Sequence, residues 1–115
     1  MANNIAFQPM GKTVCLIPSG ANTQSNVVTI TANSPCQQYL VTNHTSNVSA
    51  VVRIENGNSF NVAIPSEAGT EGFCVAPYGH IVVTGPQVSQ SANTFARVIS
   101  NQAGLIVTIV PGEGL

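Results

Sequence analysis

The sequence is most telling in what it lacks. It contains no Asp and no Trp, and charged residues make up 6% of it, against roughly 25% in an ordinary soluble domain. The permanent cations are Lys12, Arg53 and Arg97. A nucleic-acid surface needs several Lys or Arg to displace counterions, so three scattered cations exclude that class. No apolar run approaches the ~20 residues of a membrane-spanning helix. The first residues, MANNIAFQPMGK, lack the basic start and apolar stretch of a secretory signal, so folding in a cytosol is the expectation. Cysteine is sparse and odd in number. Cys15, Cys36 and Cys74 are widely spaced and match no metal-binding pattern, which predicts reduced core thiols rather than bridges. Leu, Glu and Lys, the usual helix fillers, number 9.

What is present points to strands. Val, Ile and Thr number 34, and β-branched side chains suit a pleated surface better than a helix. With 115 residues, the chain supports one domain around one core. Asn, Ser and Thr number 32 and must supply solubility in place of charge. Such a surface resists association poorly.

Residues 1–12 read as an extended N-terminal arm, broken by Pro9 and Gly11, with Ile5, Phe7 and Met10 as isolated apolar groups. Residues 13–115 read as one β domain. Strands are predicted over 13–17, 25–32, 59–64, 73–75 and 80–84, with a polar loop over 85–93. Two hairpins are predicted. The first joins the runs flanking His44-Thr45-Ser46-Asn47 and pairs Asn43 with Val48, Val41 with Ala50 and Tyr39 with Val52. The second joins 94–100 to 105–110 and pairs Val98 with Val107. About eight short strands without helical periodicity make an all-β, single antiparallel β-sandwich the expected fold.

Catalytic and cofactor chemistry finds little support. Glu67 and Glu71 share a loop, while Glu55 and Glu113 stand apart, which reads as solvated charges rather than an acid/base pair. No motif brings a cysteine to His44 or His80 as nucleophile and base, and neither zinc spacing nor a phosphate loop occurs. The expectation is a non-enzymatic protein without cofactor or metal. Arg53 stands out as a charge inside a strand run. It is read either as a solvated strand charge or as a fork that ties a loop carbonyl, a carboxylate or a partner.

From the first hairpin onward the chain resembles small bacteriophage virion accessory proteins. The matching pieces are Val41-Thr42-Asn43, Ser46-Asn47, Val51-Val52-Arg53-Ile54, Ile64-Pro65 and Gly69. They continue with Val75-Ala76-Pro77-Tyr78-Gly79, Ala96-Arg97-Val98-Ile99, Gly104 and Pro111-Gly112-Glu113-Gly114. The resemblance spans about residues 37–115. It implies an Ig-like or jelly-roll-like sandwich that decorates or cements a capsid shell, carried in the virion after assembly in the host cytoplasm. The implied partners are a major capsid protein or other virion protein and further copies of the chain, as a trimer or dimer. A neck or tail component is the near alternative. A carbohydrate- or receptor-binding sandwich module is the distant one, and it would want an aromatic platform that a Trp-free chain is poorly equipped to build. Ile5, Phe7, Met10 and Arg53 are the expected partner contacts. Attachment is expected to run through apolar and neutral groups rather than charge.

Overall fold

The computed structural model describes residues 7–114. Within them the protein is all-β, with nine strands in two antiparallel sheets packed as a sandwich. In chain order these are β1 (Gln8–Pro9), β2 (Val14–Leu16), β3 (Val28–Ile30), β4 (Cys36–Asn43), β5 (Ala50–Glu55), β6 (Phe73–Val75), β7 (His80–Val88), β8 (Thr94–Ile99) and β9 (Val107–Glu113). One sheet has β9 and β4 at its centre, with β7 on one edge and the short β1 and β2 sharing the other. The second sheet runs β3-β8-β5-β6.

The chain changes sheets at almost every turn. β4 pairs with β7 and β9, whereas β5 pairs with β6 and β8. The predicted hairpin over 37–55 is therefore an arch between sheets. The same correction applies to the second hairpin, because β8 pairs with β3 and β5 while β9 pairs with β1, β2 and β4. The alternation behind both predictions is nevertheless real. Tyr39, Val41, Asn43, Val48, Ala50 and Val52 are all buried. They oppose one another across the core instead of lying side by side in one sheet. Leu16, Ile30, Val88, Val98, Leu105, Val107 and Ile109 extend the fully buried centre. Each such apolar side chain contributes about 1.5–3 kcal/mol by leaving water.

Two buried polar groups set the connections. Asn43 ends β4 and sits inside the arch, where its Nδ2 donates to Val48 O at 2.7 Å and to Val75 O at 3.3 Å. Its Oδ1 accepts from Thr45 N at 3.0 Å. Tyr39 reaches the far end of the core, where its hydroxyl bonds Pro86 O and lies 3.1 Å from Thr94 Oγ1. Gly85 leaves room for that ring, because a Cβ there would stand 3.1 Å from Tyr39 Cε1.

Three further expectations change. The segment 59–64 forms no strand; it crosses the second sheet as a loop with Val62 buried on Val51 and Ile99. Residues 85–88, expected within a mobile loop, continue β7, and Val88 pairs with Cys36 after a register shift. The described part of the N-terminal segment lies on its own chain. Gln8 and Pro9 pair with Glu113 and Gly112, Met10 N donates to Pro111 O at 2.8 Å, and Asn33 N donates back to Met10 O at 2.6 Å. Met10 packs against the core cluster. Ile5 lies outside the described residues.

Candidate interaction surfaces

The outward faces of the two sheets differ in kind. On the second sheet Arg53 and Arg97 are direct cross-strand partners, an arrangement that opposes like charges. The segment 56–72 resolves it. Arg53 Nε meets Glu55 Oε2 and Arg53 Nη2 meets Glu71 Oε1, each at 2.8 Å, and Nη1 donates to Asn61 O at 2.8 Å. The guanidinium carbon stands 5.3 Å from the centre of the Phe60 ring, in range of a cation–π contact. Arg97 Nη1 donates to Phe60 O at 3.2 Å and Asn61 Oδ1 at 3.1 Å. Gln24 pins the same turn, donating to Asn61 Oδ1 at 2.8 Å and accepting from Val62 N at 2.9 Å. Among the described residues, Arg97 Nε is a buried donor without a partner.

This cluster absorbs Arg53, Arg97, Glu55 and Glu71, more than half of the seven formal charges in the chain. Glu55 and Glu71, read from sequence as separate solvated charges, are drawn together by one guanidinium. Of the roles open to Arg53, its observed contacts are the internal fork to a loop carbonyl and two carboxylates. Beside it runs a cleft of ≈ 370 Å³ between β7 and β5–β6, lined by Arg53, Glu55, Glu71, Ile54, Phe73, Val83, Thr84 and Gly85 among others.

Among the described residues, the outward face of the first sheet carries no charged roof of this kind, although the Phe7 ring lies against Gly112 and Val110 is buried. The registers place its side chains in rows: Cys15, Thr108, Thr42 and His80; then Val110, Leu40 and Val82; then Gly112, Gln38 and Thr84. No Lys, Arg, Asp or Glu occupies these positions. One step beyond the paired register, Ile17 and Ile106 stand at the end of the face, 60% and 40% exposed. His44 joins them there, its backbone N donating to Ile106 O at 2.9 Å and its Nε2 lying 2.8 Å from Thr108 Oγ1. The face carries no Lys, Arg, Asp or Glu at its paired positions and is partly apolar.

The cysteines are free, as expected, but Cys36 alone is a core thiol; Cys15 and Cys74 are exposed. Each of the latter alternates outward between inward neighbours, in β2 and β6. Burial, reinforced by the Glu113 charge, raises the pKa of the Cys36 thiol. Burial also raises that of Tyr39, against the lowering effect of its Thr94 contact and with a further rise from Cys36. Among the described residues no group of three His, Cys, Asp or Glu is placed to hold a metal ion, and no helix is long and apolar enough to cross a membrane.

Of the expected contact residues, Phe7 is half-buried with its ring against Gly112, Met10 is half-buried on the core, and Arg53 is held by its own chain. Sequence reasoning missed the exposed pair Ile17 and Ile106. The signal was present, since Leu105–Val110 is apolar on both sides, but such a run reads equally as a strand covered on both. No protein-family model and no curated protein matches the chain.

Proposed function

We propose that the chain is a non-enzymatic structural protein of a phage particle, a decoration or cement protein that docks on the capsid shell through the neutral outward face of its five-stranded sheet. The observation that carries this reading is the contrast between the two sheet faces. One is roofed by the 56–72 segment and consumes most of the charge; the other has no Lys, Arg, Asp or Glu at its paired positions and ends in exposed Ile17 and Ile106. A face of this kind gains from covering apolar area at about 25 cal/mol per Å² and pays little to desolvate ions. The resemblance of residues 37–115 to virion accessory proteins supplies the particle; the face supplies the mode of attachment. Copies of the chain associate as well, and the charge-poor surface favours that.

The test adds purified protein to particles that lack it. Binding is expected to saturate at hundreds of copies and to persist between about 50 and about 500 mM salt, on either side of physiological screening. Ile17→Glu with Ile106→Glu is expected to weaken it by more than about 100-fold, since two apolar contacts become buried charges. A dozen copies or fewer would move the protein to the neck or tail. Steep loss at high salt, or full binding by the double variant, would reject this face as the attachment surface.

A further inference from the structure

We infer that two copies of the chain pair edge to edge through β7, antiparallel about a two-fold axis at Val82, which joins the outward faces of their five-stranded sheets into one continuous surface. The sheet edges are unequal. β1, β2, β3 and β6 have two or three residues each, whereas β7 has nine. Sheets usually protect a long edge with charge, proline or a bulge. β7 carries no Lys, Arg, Asp or Glu. Its proline, Pro86, and its register shift both lie beyond Thr84, so among the described residues 80–84 is regular and pairs only with β4.

The hydrogen-bond pattern fixes the register. Asn43 N donates to Gly79 O at 2.9 Å, which places Val41↔Ile81 and Tyr39↔Val83 in the same alternating phase. Ile81 and Val83 therefore spend their backbone groups on β4. His80, Val82 and Thr84 turn theirs to the free edge. Setting Val82 against Val82 of the second copy brings each His80 opposite a Thr84, and all three pairs can exchange both of their bonds. A register shifted by one residue toward the C-terminus would put Pro86, which has no N–H, opposite His80.

The side chains complement one another in that register. Ile81 points inward yet is 40% exposed. It falls opposite Val83 of the second copy, in a non-hydrogen-bonded pair where side chains approach most closely. Val83 lines the cleft shared with Phe73 and Ile54. Each Ile81 thus seats at the mouth of the other copy's cleft. Tyr78, 71% exposed at the start of the edge, comes level with Pro86 of the second copy. Identical strands without charge have nothing to repel, so the patch is self-complementary, as a two-fold contact requires.

The inference deepens the docking reading by naming the contact between copies, and it is tested without particles. Mass by light scattering is expected to approach twice 11.9 kDa for the native chain. His80→Lys with Thr84→Lys sets like charges opposite each other and is expected to halve the mass while circular dichroism stays all-β. His80→Glu with Thr84→Lys is expected to restore it. Positions 80 and 84 lie about 13 Å apart along one strand, so rescue must come from a second copy. Val82→Cys, in a chain carrying Cys15→Ser and Cys74→Ser, is expected to cross-link two copies, because a hydrogen-bonded pair separates Cα atoms by about 5.5 Å. A monomeric native chain, an undiminished dimer in the double-Lys variant, or no Val82→Cys cross-link would each overturn this interface. A monomer that still binds particles would leave the docking reading intact; a dimer that binds none would reject docking alone.

Discussion

Asn43→Leu tests the arch between the sheets. Leu matches Asn in heavy-atom count and branching but is bulkier through its methyl groups, so the change removes hydrogen bonds without opening a cavity and adds some crowding. It strands Val48 O and Val75 O in the interior and Thr45 N at its margin. A buried polar group left unpaired costs about 1–3 kcal/mol. Thr45 is half-buried and recovers part of its loss from water, and the added apolar side chain offsets part of the rest. The net destabilisation expected is about 2–4 kcal/mol. A domain of this length has roughly 6–17 kcal/mol in total. With a urea slope of about 2 kcal/mol per molar, the unfolding midpoint should fall by about 1–2 M. Circular dichroism through a urea titration reads it directly. A fall under about 0.3 M would mean that Asn43 does not hold the arch, and the account of β4 and β5 in separate sheets would lose its main polar support.

Other changes follow from the same geometry. Tyr39 and Cys36 have folded pKa values raised above their ordinary 10.0 and 9.0, so the folded state binds these protons more tightly than the unfolded one. Their contribution is complete below pH 9 and drains away as pH rises through the folded values; urea midpoints should decline above pH 9, and Tyr39→Phe should flatten the upper part of that decline. Gly112→Ala would drive a methyl group into Gln8 O and the Phe7 ring. It should release β1 and speed hydrogen exchange at Met10 N while leaving β2 protected. In the native protein Cys15 and Cys74 should react with a thiol reagent at once and Cys36 only on unfolding; three equally fast thiols would contradict the placement of Cys36.

The strands themselves were largely legible. Phe73–Val75 was bounded residue for residue, and the alternation that pairs Asn43 with Val48, Val41 with Ala50 and Tyr39 with Val52 picks out six residues that are all buried. Sheet membership was not legible. A hairpin places the apolar faces of consecutive strands side by side, an arch places them face to face, and both satisfy one alternating pattern with one four-residue turn. Asn43 held the clue, as a polar residue on the apolar face that an arch can satisfy through Val48 O. The fork role left open for Arg53 was visible in its strand position. Its partners were not, because Glu71 and Asn61 reach it from a loop whose path over Val51 and Ile99 depends on Val62. The mistaken strand over 59–64 came from the alternation of Phe60, Val62 and Ile64, yet only Val62 is buried. The charge-free outward face emerged only once β4, β7 and β9 were known to share a sheet.

Two native thiols allow the docking surface to be tested without any substitution. Cys15 lies on the outward face of the five-stranded sheet opposite Thr108, and Cys74 lies on β6 in the other sheet. Labelling both, first in free protein and then in protein bound to particles, compares the two faces within one molecule. Docking through the neutral face should shield Cys15 and leave Cys74 as reactive as in solution. Unchanged labelling of Cys15, or shielding of Cys74 alone, would contradict it.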